Sequence, residues 1–304
     1  MAAGVITTGN HPKALWPGIK AIWGRQYDEH QTEYTDLFDE DTSDQAYEED
    51  FEVTGFGLAP VKPQGESVAF DSETQGTVSR YTHVAYALGY IVTKEELDDN
   101  LYEQVSGRRA QALAFSMRQT KENVGANVYN KAFTGGAAGG DGADLIDASH
   151  PTRTGNQSNL LGTAAELSEA SIEDLIIQIM GATNSRGLKI NLMPQSLHVS
   201  RQNWFEANRI MKSVLQNDTA NNAVNALKAT NSLPKGIKLN HYFTSSTAWF
   251  IRTNAPRGMV CYNRMSADFT KDNDFNTENA KAKSYERYTF YWSDWRGVYG
   301  TPGV

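Results

Sequence analysis

The spacing of apolar and polar positions changes repeatedly along this chain, and each change predicts a different kind of element. Pro17 suits a first helical turn, and Ile19, Ile22 and Trp23 follow at helical spacing, which predicts a short helix within an N-terminal arm covering residues 1–50. From Phe51 the pattern shortens. VTGFGLAPVKPQGESVAF is punctuated by Gly and Pro, and VSRYTHVAYALGYIV is rich in β-branched and aromatic residues, so residues 51–92 read as two long strands in an extended hairpin. Such a hairpin carries little apolar mass and needs a surface to lie on.

At Thr93 the period lengthens again. Leu97, Leu101, Val105, Leu113, Met117, Val124 and Val128 recur mostly at four-residue steps with charges between them, which predicts one amphipathic helix over 93–133. A helix of about 40 residues would be about 60 Å long, a strut rather than a core element. Thr93 and Glu96 have capping-box spacing, and Gly107 and Gly125 are the expected places for a bend. The segment TGGAAGGDGADL then reads as a flexible connector. Beyond it, a helix in ELSEASIEDLIIQIMGATNSRG capped by Ser168 or Ser171, a buried strand in NLMPQSLHVS, a helix in RQNWFEANRIMKSVL and strands in IKLNHYF and AWFIRTN interleave as a mixed α+β lobe over 161–260. The end of the chain, 261–304, is strand-like, with Tyr288, Phe290 and Trp292 alternating against Tyr291 and Trp295, so burial on both faces is expected.

Composition narrows the class. At 39% hydrophobic and 21% charged residues over 304 positions the chain is globular, and no apolar run reaches the 18 residues of a membrane span. The start lacks the basic flank and apolar block of a secretory signal, and the single Cys261 cannot form an internal disulfide, which fits a reducing cytoplasm and a buried packing thiol. Charge is uneven: Asp28 to Glu52 hold twelve acids and no Lys or Arg, leaving 24 of the 36 acids against 28 bases elsewhere. Tyr34, Leu37 and Phe38 within that acidic stretch predict an arm ordered by docking rather than a free tail.

Catalytic signatures are absent. The chain has no GxSxG, HExxH or GxxxxGK[ST] motif and no Cys pair, and its six histidines are scattered, so no catalytic, cofactor or metal residue is assigned. KDNDFN offers Asp272, Asp274 and Asn276 at calcium-loop spacing, but Thr277 stands where Gly is required and Lys283 where a bidentate carboxylate must sit.

The stretches LWPGIKAIWGRQYDEH and DLFDEDTSDQAYEED in the arm, GYIVTKEELDDNLY, DGADLIDASHPTRTGNQSNLL, ELSEASIEDLI, LMPQSLHVS and the closing YERYTFYWSDWRGVYG together resemble, in order and spacing over nearly the whole chain, the major capsid proteins of tailed bacteriophages with the Hong Kong 97 type of fold. The resemblance implies an arm (1–50), an extended hairpin across a neighbouring subunit (51–92), a peripheral domain with the spine helix (93–160), an axial domain (161–260) and a return to the peripheral domain (261–304). It implies assembly contacts at Trp16, Trp23, Tyr34, Phe38, Phe56, Lys62, Phe70, Arg80 and Tyr81, and assigns Lys62 no covalent partner. Implied too are homo-oligomeric hexamers and pentamers tiling an icosahedral shell around double-stranded DNA, with non-specific DNA contact. The shell would be assembled in a bacterial cytoplasm with separate scaffold, portal and decoration proteins, without a cofactor or membrane. The alternatives are another virion structural or carbohydrate-binding protein, which would expose Trp16, Trp23 or Trp292, and an enzyme with an unrecognised site.

Overall fold

The computed structural model describes residues 16–98, 102–135, 139–216, 223–274 and 276–304. In chain order the elements are α1 (Trp16–Glu29), α2 (Tyr34–Leu37), β1 (Asp39–Thr42), β2 (Tyr47–Val53), β3 (Gln75–Thr82), β4 (Val84–Val92), α3 (Lys94–Asp98), α4 (Tyr102–Asn130), β5 (His150–Thr152) and β6 (Gly155–Gln157). They continue with α5 (Glu169–Met180), β7 (Pro194–Val199), α6 (Trp204–Lys212), α7 (Ala226–Ala229), β8 (Ile237–Leu239), β9 (Trp249–Thr253), β10 (Met259–Asn273), β11 (Ala280–Trp292) and β12 (Val298–Thr301). The chain divides into two compact units. The first takes the chain up to Thr32, His83–Asn123 and Asn263–Tyr288; the second takes Glu33–Thr82, Val124–Tyr262 and Thr289–Val304.

In the first unit α1 lays Ile19 and Trp23 against Leu113, Ala114 and Met117 of α4 and against Phe269 and Ala282 of the strands. The Trp23 ring stacks on Tyr27 at 5.2 Å and on Phe269 at 5.7 Å. Strand β11 lies between β10 and β4, with β4 paired antiparallel from Ala280↔Val92 to Tyr288↔Val84. Its alternation is strict: Ala280, Ala282, Ser284, Glu286 and Tyr288 are buried and the residues between them are not. The buried stripe of α4 carries charge that periodicity alone does not reveal. Arg118, Lys121 and Glu122 are buried on it. Arg118 donates through Nε and Nη2 to the Tyr27 carbonyl at 3.2 and 3.1 Å, and Lys121 Nζ donates to Asn263 Oδ1 at 2.8 Å. The Tyr27 hydroxyl donates to Glu286 Oε2 at 3.0 Å. Burial raises the Glu286 carboxyl above its ordinary range; Lys121, the Tyr27 hydrogen bond and Arg118 oppose the shift.

In the second unit a four-stranded sheet in the order β12-β9-β7-β8 has β7 parallel to β8 and antiparallel to β9. Leu197 and Val199 of β7, Trp249 and Ile251 of β9, and Ile172, Leu175 and Ile179 of α5 share one core. Helix α5 starts at the expected place: Ser168 accepts from Ser171 N while the Ser171 hydroxyl accepts from Ser168 N, closing a reciprocal cap. The terminal aromatics Trp292, Trp295 and Tyr299 are buried in this core, and Tyr291 is buried against Tyr262, so the two-sided burial of that segment holds. Asn159 fastens the end of the chain from inside. Its Nδ2 donates to the carbonyls of Leu145, Trp295 and Val298 at 2.7, 3.1 and 3.0 Å. His150 is a satisfied core histidine, stacked on Trp295 at 4.5 Å with Nδ1 2.7 Å from Asp141 Oδ2 and Nε2 3.1 Å from Asn159 Oδ1.

Several expectations change. The strand pattern of 75–92 is not one strand: β3 pairs with β2 up to Thr82, whereas β4 leaves after His83 to pair with β11. Alternation shows that a strand exists but not which partner it takes. The ribbon also begins earlier than Phe51, at Tyr47, and residues 54–74 between its strands contain neither helix nor strand. Helix α4 ends at Asn130 and is 29 residues, about 43 Å. The capping box at its approach is half formed: Glu96 N donates to Thr93 Oγ1 at 3.4 Å, but the Glu96 carboxylate takes Arg109 in a two-pronged pair at 2.7 and 3.1 Å. A guanidinium offers a carboxylate two charged donors where a backbone N–H offers one neutral donor. Gly125 is continuous helix, and a Cβ there would stand 3.2 Å from Tyr34 Cβ and 3.3 Å from the Phe290 ring. Close packing explains this glycine. Two glycines of the connector are likewise packed, since a Cβ on Gly139 would overlap the Trp292 ring at 2.1 Å and Gly140 N donates to Ser79 Oγ at 3.0 Å.

Candidate assembly surface

The ribbon β2–β3 presents two unlike faces because YEEDFEV alternates. Glu48, Asp50 and Glu52 turn inward with Ser79 and Tyr81 of β3. Asp50 Oδ2 accepts the Tyr291 hydroxyl at 3.0 Å, Glu52 Oε1 accepts Ser185 Oγ at 2.6 Å, and the Tyr81 ring stacks on Tyr291 at 3.7 Å while its hydroxyl donates to the Trp292 carbonyl. Burial pushes the Tyr81 hydroxyl up to about 12, against the pull of its bond with Ser79. The outward face carries Tyr47, Glu49, Phe51 and Val53 opposite Thr82, Arg80, Val78 and Gln75. Arg80 lies 3.6 Å over the Tyr47 ring and 3.6 Å from Glu49.

Between the strands, residues 54–74 expose apolar side chains far beyond what a polar turn needs. Phe56 is 60%, Leu58 83%, Val61 92%, Val68 60% and Phe70 95% exposed. Isolated exposed apolar residues are ordinary, but a run of this kind on one segment is a candidate interaction surface.

The residues expected at assembly contacts fall into two groups. Phe56, Lys62, Phe70 and Arg80 are exposed on the loop and ribbon. Trp23 is buried in the core of the first unit, and Tyr34 and Phe38 in that of the second, where the Tyr34 hydroxyl donates to Glu40 at 2.7 Å. Tyr81 faces inward, and Trp16 opens α1 with its side chain outside the described residues. The acidic stretch is tied down too: Asp36 pairs with Lys238 at 2.8 Å and Asp39 with Arg252 at 3.0 Å. Of the spine residues, Leu113 and Met117 are buried in the first unit, and Val124 and Val128 are half-buried. The side chains of Leu97 and Val105, and Leu101 altogether, lie outside the described residues. Sequence reasoning missed Leu58, Val61 and Val68, whose signal was present: apolar residues without any helical or strand period, set among Gly and Pro.

A cavity of about 210 Å³ is lined by Asp50, Glu52, Ser79, Asp141, Arg257 and Trp292. Its carboxylates are already engaged, Asp50 with Tyr291, Glu52 with Ser185, Asp141 with His150 and the further lining residue Asp294 with Arg296. Among the described residues no group of His, Cys, Asp or Glu is placed to hold a metal, and no helix is long and apolar enough to cross a membrane. Trp23 and Trp292 are buried, which removes them as a sugar platform.

A family model described as phage capsid protein matches residues 76–301. No curated protein matches. Among solved structures, a virus-like particle from Pyrococcus furiosus superposes with a TM-score of 0.53 at 8% identity, covering 94% of this chain and 98% of its own. Mycobacterium phage Adephagia gives 0.52 at 9% identity over 90% of both chains, and Microbacterium phage Oxtober96 gives 0.51 at 8% over 90% and 91%. At such identities the likeness is one of fold. A family match spanning most of the sequence, on a fold shared with these structures, shows that the chain belongs to the phage capsid protein family, as a structural major capsid protein with the Hong Kong 97 type of fold.

Proposed function

We propose that this chain builds its shell by lending the 54–74 loop to a neighbouring copy, and that rings of six and of five such copies tile an icosahedral head around double-stranded DNA. The single observation that carries the proposal is the exposure of Phe56, Leu58, Val61, Val68 and Phe70 on one segment with no cover from its own chain. Each contact is head-to-tail, loop of one copy on body of the next, and such contacts give a ring when the rotation between copies closes. Trp23, Tyr34 and Phe38 then act within each copy, by holding the arm against its own cores. The body outside the acidic stretch holds 28 bases against 24 acids, which supports loose, sequence-independent contact with packaged DNA. Assembly takes place in the host cytoplasm with separate scaffold, portal and decoration proteins, and the chain performs no catalysis.

The test is Phe56→Asp and Phe70→Asp, singly and together, read by size-exclusion chromatography and negative-stain microscopy. Both side chains are solvated in the free chain, so the variants fold with an unchanged Tm and remain as unassembled subunits. Normal shells from the double variant would overturn the clasp.

A further inference from the structure

We infer that the Asp71–Arg186 pair is a brace that aims the assembly loop before it meets its partner, so that these two residues position the contact without belonging to it. The inference rests on the clasp proposed above and adds how the clasp is prepared.

A segment of 21 residues with no helix or strand should sweep a large volume, yet this one is fastened in two places. At its base, Thr54 N donates to the Thr74 carbonyl at 3.1 Å and Thr74 N to Thr54 Oγ1 at 3.0 Å. Arg153 Nη1 reaches Thr74 Oγ1 at 3.3 Å. Further out, one carboxylate gathers both arms of the loop. Asp71 Oδ2 accepts Gly57 N at 2.8 Å from the outgoing arm and Arg186 Nη1 at 2.7 Å, while Oδ1 accepts Ser72 N on the returning arm at 2.8 Å. Arg186 Nη2 donates to the Ser72 carbonyl as well.

Arg186 is itself rigidly seated. Its N–H donates to Asn184 Oδ1 at 3.0 Å, Leu188 N donates to the same atom at 2.8 Å, and Gly187 with φ of 80° closes the turn. The guanidinium is mostly buried, at 13% exposed, whereas Asp71 is 46% exposed. The fixed partner therefore belongs to the body and the captured partner to the loop. Arg186 Nε is buried without a hydrogen bond, while Nη1 and Nη2 each donate to the loop. The Asp71 carboxyl is held below its ordinary range, first by the Gly57 N–H, then by that of Ser72, with Arg186 adding to both.

The brace does not bear on the folding of the body. Asp71 is about half exposed and the Arg186 guanidinium bonds to loop atoms, so losing the pair leaves the hydrogen bonds of the body in place, and a partly exposed pair of this kind stabilises little. Its effect falls on association: a loop already shaped for docking loses less conformational freedom when it is captured. That separates a positioning role from a structural one.

The experiment compares wild type, Asp71→Asn, Arg186→Gln and the double variant as full-length unassembled subunits. Three quantities are read: Tm, hydrogen exchange of amides 55–72, and the lowest concentration at which shells form. The expected result is an unchanged Tm, faster exchange centred on Gly57 and Ser72, and an assembly threshold raised about tenfold or more. The double variant should be no worse than either single one, because each removal breaks the same brace. Wild-type exchange or a wild-type threshold in the single variants would overturn the inference, as would a fall in Tm that accounts for the threshold. Failure of the brace is separable from failure of the clasp: if Phe56→Asp with Phe70→Asp abolishes shells while Asp71→Asn does not raise the threshold, the clasp stands and the brace falls.

Discussion

At the scale of single residues, the informative positions are polar groups placed where the sequence pattern implies only packing. His198 is fully enclosed, with Nε2 2.8 Å from Ser196 Oγ and Nδ1 without a partner. Burial, and then the charges of Arg252, Lys238 and Lys235, hold its imidazole well below 6.5. The native state thus keeps His198 neutral while the unfolded chain takes up a proton below about 6.5. Below that pH the unfolded state binds more protons, so stability falls as pH drops. Thermal unfolding of the unassembled subunit between pH 7 and 5 should show a declining Tm, and His198→Gln should flatten the decline; a slope identical to wild type would refute this role. Tyr27 offers a second test in the first unit. Tyr27→Phe leaves Glu286 Oε2 buried without its hydroxyl donor and should cost about 1–3 kcal/mol in chemical denaturation at neutral pH. Neither residue stands out in the sequence. A lone His on a strand and a Tyr near the end of α1 acquire their chemistry from neighbours distant along the chain, 259 positions away in the case of Tyr27 and Glu286.

At the scale of elements, local rules identified what an element is more often than what it touches. The helix over 169–180 was legible because Ser168, Ser171 and the Leu175, Ile176, Ile179 stripe agree with one another. The spine helix was legible in type, but its true buried stripe passes through Arg118, Lys121 and Glu122, which no hydrophobic period selects. Its two glycines separate in a measurable way. Gly107→Ala meets only Ile22 Cδ1 at 4.0 Å and should raise stability by about 0.5–1 kcal/mol through helix propensity; at Gly125 the crowding by Tyr34 and Phe290 should cancel that gain or reverse it. Gly139→Ala would drive a methyl into the Trp292 ring and should cost about 1–3 kcal/mol or prevent folding, seen as insoluble protein. Val128→Asp places a charge against the core of the second unit and should yield insoluble or unassembled chain; soluble shells would contradict its placement.

At the scale of the whole molecule, the two compact units are each woven from three separated stretches of chain, so neither can be obtained by trimming. A chain beginning at Glu33 lacks Ile19 and Trp23, which cover Leu113, Met117 and Phe269, and the exposed bed should make it aggregate. Recovery of a soluble, cooperatively unfolding product would show that the arm is dispensable to its own unit. The same reasoning explains why the arm's aromatics could not be assigned from sequence. Trp23, Tyr34 and Phe38 and the loop residues Phe56 and Phe70 are all large apolar groups in polar surroundings, and only the path of the chain decides which of them meet their own core.

What the sequence determined by itself was the type and order of the long elements, the crowded aromatic end, the absence of a catalytic motif and the family likeness. These are encoded locally, in period, capping residues and composition, and are complete before any distant contact forms. What only the tertiary structure decided was partnership: that β4 leaves the hairpin for β11, that Gly139 and Gly140 admit Trp292 and Ser79, and that Asp71 is gathered in by Arg186. The physical reason is that a strand's edge, a glycine's bare Cα and a carboxylate's lone pairs are satisfied by whichever group the folded chain brings within reach. That choice is made by global packing.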